Sequence, residues 1–151
     1  MNEEKADEFK KYTDYGLRVL LFAGLKTDGE LASIKEISEV FNISPHHLGK
    51  IVHELNKLGL LETIRGRNGG IRLAKAPEEI NVGLVVRQLE GDFALFECFD
   101  KGQNHCVIVP GCTLKHVVNK AMHAFFKVLD GYTLRDLIHN ENELKELMGI
   151  N

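Results

Sequence analysis

Apolar residues recur along this chain at two different spacings, and the change from one to the other divides it. From Thr13 to Leu25, Leu17, Leu20, Leu21 and Leu25 fall three and four apart, which is the period of one helix face and predicts a first amphipathic helix. Gly16 and Gly24 weaken it, each costing about 1 kcal/mol relative to alanine. After the turn KTDGEL, Ser33 and Glu36 have the spacing of a capping box, in which each side chain satisfies a backbone N–H left open at a helix start. A second short helix follows through Phe41, with Ile34, Ile37, Val40 and Phe41 facing inward. Ser44 then supplies an N-cap and Pro45 a first helical residue whose missing N–H costs nothing. The third helix they open buries Leu48, Ile51, Val52, Leu55 and Leu58 and closes at Gly59.

Beyond Gly59 the period shortens. LLETIR and IRLA read as strands on either side of Gly66-Arg67-Asn68-Gly69-Gly70, a hairpin with basic residues at its tip. Two short helices joined by a tight turn, the second with His46, His47, Gly49, Lys50 and His53 on its outer face, describe a helix-turn-helix. Followed by the basic hairpin, they make a winged helix. A helical hairpin can simply pack a core and a glycine-rich turn can simply close a hairpin, but the order of all four parts narrows the choice.

The second half opens with Pro77 to Ile80 and a helix from Val82 to Glu90 capped by Asn81. From Leu114 to Leu129, the residues Leu114, Val117, Val118, Ala121, Met122, Phe125, Val128 and Leu129 keep the helical spacing over four turns, predicting the longest helix of the chain. It is either a dimerisation surface or a partner for the chain's own first helix. Thr133 with Asp136 caps a short helix, and a polar helix runs to Met148. The fold class is mainly α with a small β-hairpin wing. A winged helix-turn-helix DNA-binding unit is expected over residues 1–76, and a loop with dimerisation helices over 77–151.

Composition narrows the class further. At 151 residues, 44% hydrophobic and 27% charged, the chain has the size and balance of one globular protein, not a multidomain enzyme or a disordered segment. The polar, acidic start lacks a secretory signal, and no stretch approaches the ~20 apolar residues of a membrane span, so a cytoplasmic, non-membrane protein is expected. A net charge of −3 argues against a nucleic-acid partner until its distribution is read. Residues 44–75 carry Lys50, Lys57, Arg65, Arg67, Arg72 and Lys75 against only Glu54 and Glu62. The excess lies on the third helix and the wing, where phosphate contacts belong. Ser44, His46, His47 and Lys50 are therefore candidates for the groove of double-stranded DNA. Arg65, Arg67 and Arg72 are candidates for phosphates or a narrow minor groove.

All three cysteines lie within fifteen residues, as Cys98, Cys106 and Cys112 in a loop containing glycine and proline. The C-x7-C-x5-C spacing is not that of a zinc finger, which usually shows a C-x2-C pair. Small buried thiols would explain any one of them. Three together suit zinc, copper(I) or an iron-sulfur centre, whose fourth ligand must be another residue type; His105, His116, Asp14 or another carboxylate are the options. Zinc binding, thiol oxidation or control by a protein partner without any cluster is the alternative function. A thiol enzyme using Cys98 or Cys106 with His105 ranks last, because no oriented acid completes such a set.

The run KYTDYGLRVLLF, the segment ISPHHLGKIVHELNKLGLLETIRGRNGGIRLA, the stretch VGLVVRQLEGDF and the three cysteines before a long helix resemble the Rrf2 family of bacterial regulators. The similarity spans about residues 10–140 and is greatest to its nitric-oxide-sensing repressors, in their Bacillus-like form. That resemblance implies a homodimer whose operator affinity depends on a [4Fe-4S] cluster held by Cys98, Cys106 and Cys112, with nitric oxide as the signal. It also implies that Asp14, in KYTDY, is the fourth ligand and reaches the cluster of the other subunit. A hard carboxylate on iron is the weakest of the four bonds and leaves that iron open to nitric oxide. Another branch of the family has a histidine three residues after its last cysteine, where this chain has Lys115. The chain also starts several residues before the family pattern, and carries Asn68 where three successive glycines are more usual.

Overall fold

The computed structural model describes residues 3–91, 95–100, 102 and 104–150, with side chains from Tyr12 onward. The elements in chain order are α1 (Glu3–Leu25), α2 (Ile34–Phe41), α3 (Pro45–Lys57), β1 (Leu61–Ile64), β2 (Gly70–Leu73), α4 (Val82–Glu90), α5 (Thr113–Asp130), α6 (Leu134–Leu137) and α7 (Glu141–Met148). Single 3-10 turns lie at Pro77–Glu79, Glu97–Phe99 and Val109–Gly111.

Local signals account for most of these boundaries. Ser33 and Glu36 form the reciprocal box: the Glu36 N–H donates to Ser33 Oγ at 3.0 Å, and the Ser33 N–H donates to Glu36 Oε2 at 2.8 Å. Asn42, at φ 54°, ends α2 in the left-handed region. Ser44 Oγ accepts the His47 N–H at 3.1 Å and starts α3 with Pro45 in place. Asn81 Oδ1 accepts the Leu84 N–H at 3.0 Å and starts α4.

Two expectations change. The first helix begins at Glu3, not Thr13, because no proline or glycine interrupts residues 3–12. At 23 residues α1 is therefore longer than α5, which has 18, and the later helix is not the longest. The hairpin also has a neighbour that the strand pattern does not mark. β1 and β2 pair antiparallel in the register Leu61↔Leu73 to Ile64↔Gly70, and Ala32 adds a one-residue third strand by exchanging both backbone hydrogen bonds with Ile71, at 2.9 and 2.7 Å.

One apolar core joins these elements. Val19, Leu20 and Phe22 of α1 meet Ile37 of α2, Leu48, Ile51 and Leu55 of α3, and Leu61 and Ile71 of the hairpin. Ile80, Val85, Leu89 and Leu134 close the same cluster from the second half. Gly16 explains how α4 gets so near α1: a Cβ there would stand 2.7 Å from Leu89 Cδ1. The glycine that costs helix propensity thus creates the groove that α4 needs. The main partner of α5 is α4, to which it turns the half-buried Val118, Met122, Phe126 and Leu129. An adjacent face with Leu114, Val117, Phe125 and Val128 is exposed, and no residue of α5 is buried. Among the described residues, no helix is long and apolar enough to cross a membrane.

Candidate nucleic-acid interface and cysteine loop

The outer face of α3 is presented by a body that holds it from behind and from one side. Leu48, Ile51 and Leu55 bury the inner face completely, which leaves His46, Lys50 and His53 exposed. Tyr12, on α1, donates its hydroxyl to the Lys50 carbonyl at 2.9 Å. Burial, aided by the charge of Glu54, pushes that phenol up from its ordinary pKa, so it remains a protonated donor at neutral pH. His47 is half-buried beneath the rings of Tyr12 and Tyr15, edge-on to Tyr15 at 5.4 Å between centroids. Of the two adjacent histidines, His46 therefore points outward and His47 helps seat the helix on α1. A cleft of about 600 Å³ runs beside this face, lined by Tyr12, Ser44, His46, His47, Lys50, Glu54 and Leu89.

The wing separates its basic residues in a comparable way. Arg65 and Arg67 stand exposed at the tip, and no ion pair holds either of them among the described residues. Arg72, directly opposite Glu62 in the strand register, donates through Nε to its carboxylate at 2.8 Å. Its charge is partly neutralised, so the tip carries the free cations.

In the cysteine loop, none of the three thiols is paired and none lies in the core; Cys106 is exposed, while Cys98 and Cys112 are half-buried. Cys98 sits in the 3-10 turn Glu97–Phe99, and the rings of Phe96 and Phe99 on either side of it in sequence stack on each other. The Cys106 N–H donates to Asn104 Oδ1 at 3.1 Å. Cys112 caps α5, its Sγ accepting the Lys115 N–H at 3.4 Å, an amide-to-sulfur bond of the kind that supports a thiolate ligand. Val107 and Ile108 beside them are 91% and 61% exposed. The donor set, three reachable sulfurs on one loop, fits a soft-metal or iron-sulfur group. The loop does not gather it within one chain: among the described residues, no three His, Cys, Asp or Glu side chains are grouped as a metal site. Asp14 is 51% exposed on α1 and held by Arg18, which donates to both carboxylate oxygens at 2.9 and 2.8 Å.

The family described as "Rrf2: Iron-dependent Transcriptional regulator" matches residues 9–140. The chain belongs to the Rrf2 family. It is 72% identical over 141 residues to the HTH-type transcriptional regulator NsrR of Oceanobacillus iheyensis, an alignment covering 93% of this chain and 96% of that one. The NsrR of Bacillus subtilis strain 168 is 54% identical over 137 residues, covering 91% and 94%. Among solved structures, Staphylococcus aureus CymR superposes with a TM-score of 0.69 at 28% identity over 84% of this chain and 94% of its own. T. potens IscR gives a TM-score of 0.69 at 27% identity over 89% and 88%. This Rrf2 protein is accordingly a winged-helix transcriptional regulator and not an enzyme. The thiol-enzyme reading of Cys98, Cys106 and His105 falls away with that assignment.

Three parts of this site emerge only from the structure: Tyr12, the burial of His47 and the Arg18 clamp on Asp14. The last had a local signal, since acid and base four apart on a helix face each other. The first two depend on how α1 crosses α3, which no local pattern encodes.

Proposed function

We propose that this protein is a repressor that binds operator DNA as a homodimer and releases it when a nitric-oxide-sensitive [4Fe-4S] cluster is lost. In this reading residues 1–76 read DNA and residues 77–151 carry the sensor and the dimer contact. His46 and Lys50, on the exposed face of α3, enter the major groove, with His47 and Ser44 shaping its base. Arg65 and Arg67 bind phosphates or the minor groove from the wing tip, and Arg72 contributes less because Glu62 shares its charge. The exposed apolar face of α5 joins two subunits, which sets the separation of the two reading heads. Because half-sites lie about one helical turn apart, roughly 34–36 Å, a small change at that joint spoils simultaneous docking.

Cys98, Cys106 and Cys112 would hold the cluster, with Asp14 of the other subunit as the fourth ligand. When bound, the cluster supplies iron that nitric oxide can attack. The residues do the rest: three sulfurs on one loop keep the group attached to its own chain, while a carboxylate on α1 links it to the partner's reading head. Asp14 must leave Arg18 to serve in this way, so that ion pair competes with ligation. The reading rests on one observation: all three thiols are unpaired and outside the core, on one loop of a chain 72% identical to an NsrR.

Iron, acid-labile sulfide and zinc measured on one sample purified without oxygen test it. The expected result is a brown protein with iron and sulfide in equal amounts, whose colour and operator binding are lost together on adding nitric oxide. A protein that stays colourless after anaerobic reconstitution overturns the proposal, and zinc in place of iron favours the alternative use of the cysteines.

A further inference from the structure

The place where α5 meets α4 is built more tightly than packing alone requires. Asp130, the last residue of α5, is gripped by Arg87 of α4 through both carboxylate oxygens, with Arg87 Nη2 donating to Oδ2 at 2.9 Å and Nη1 to Oδ1. The Asp130 carbonyl accepts Asn81 Nδ2 at 2.8 Å, and Asn81 is also the residue that caps α4. Adjacent backbone pairs the same two segments: the Val82 N–H donates to the Tyr132 carbonyl at 3.0 Å and the Leu134 N–H to the Ile80 carbonyl at 2.8 Å. The Arg87 guanidinium lies 4.4 Å from the centroid of Phe126, one turn back along α5.

Gly83 makes this possible. A Cβ there would collide with the Asp130 carboxylate and come within 2.9 Å of its backbone nitrogen, so no larger residue allows the end of α5 to seat on the first turn of α4. The pair is half exposed on both sides, and an exposed ion pair contributes little to fold stability. So many independent restraints on one residue fix a geometry instead. From α4 the path continues through Leu89 into the groove at Gly16 of α1, and from α1 through Tyr12 to the backbone of α3.

We propose that the Arg87–Asp130 pair, seated on Gly83, is the rigid joint through which α5 sets the position of the reading head, with Arg87 acting as a positioning residue and not as a DNA contact. The proposal rests on the sensing reading above. With the joint intact, a change in how two α5 helices sit together is carried to both α3 helices. With it broken, the heads still bind DNA but no longer report the state of the sensor.

Full-length Arg87→Gln and Gly83→Ala proteins provide the test, each compared with the unsubstituted protein by fluorescence anisotropy on an operator duplex in the cluster-loaded and cluster-free states. Coupling between two sites commonly spans about 5–150-fold. The ratio of the two dissociation constants is expected to shrink at least about fivefold in both variants, with iron content and dimer mass unchanged; Arg87→Lys, which keeps the charge but not the paired donors, should recover part of it. A purely structural role would shift the melting temperature and both affinities together, leaving the ratio alone. If the unsubstituted protein shows a ratio and both variants keep it within about twofold, the joint is refuted and the sensing reading stands. If the unsubstituted protein shows no ratio at all, both fail.

Discussion

The two halves of this chain treat apolar surface in opposite ways. Between Val19 and Leu89 the helix-turn-helix, the wing and α4 bury most of their large apolar side chains to a few per cent exposure and leave Leu84 as the one that is exposed. Between Leu95 and Asp130 no described residue is buried, and Val107, Ile108, Leu114, Val117 and Val128 are more than half exposed. Isolated apolar residues on a surface need no explanation, but a row of them along one helix and its approach loop marks a surface meant to be covered. The first half is complete as a single chain. On the proposed function, the second is completed by a second subunit and an inorganic group.

That contrast can be broken at its strong end first. Phe22→Ala, which empties the centre of the first half, should cost about 3–5 kcal/mol and lower the thermal midpoint by roughly ten degrees, followed by circular dichroism. Cys106→Ser should do the reverse: the midpoint stays within a few degrees while bound iron, measured after anaerobic reconstitution, falls to background. A matching loss of stability would show that the loop supports the fold and would end the contrast.

Third in size is Val117→Asp with Val128→Asp on the exposed face of α5, which should convert the dimer to a folded monomer in sedimentation velocity. An unchanged dimer would place the subunit contact elsewhere. Arg67→Ala should weaken binding about equally on specific and unrelated duplexes and reduce the salt slope by about one, whereas Arg72→Ala, already paired with Glu62, should reduce it less. The smallest effect is one of pH. Arg87 holds the Asp130 carboxyl below the usual carboxylate range, so their pair is fully formed above that range and weakens only as pH falls through the lowered value. The coupling ratio should therefore be flat from about pH 6 to 8, and a step there would require a different joint.

Most helix starts along the chain were legible because their signals are local. Ser33 with Glu36, Ser44 with Pro45, Asn81, and Thr133 with Asp136 each cap the helix their spacing predicts, since a cap needs only its own turn. The start of α1 was not, because residues 3–12 lack the apolar stripe by which helices are recognised and continue the helix simply by not breaking it. Ala32 was missed for a related reason: one residue of strand has no period. Gly16 reads only as a weak point and Gly83 carries no signal of its own, and their purpose appears when α4 and α5 are placed against them. At the candidate site, the cysteine spacing was plain while the arrangement of the sulfurs was not. On the proposed function the ligands gather around a guest and come from two subunits, so no local pattern in one chain fixes where they meet.

The hydroxyl of Tyr12 on the Lys50 carbonyl has one more effect, because Asp14 lies only two residues further along the same helix. Thermodynamic coupling runs equally in both directions. If losing the prosthetic group loosens the grip on an operator, then an operator already gripped must tighten the hold on that group by the same factor at equilibrium. Promoter-bound molecules would then be the last in the cell to respond, and the threshold dose of the signal would rise with the number of sites occupied.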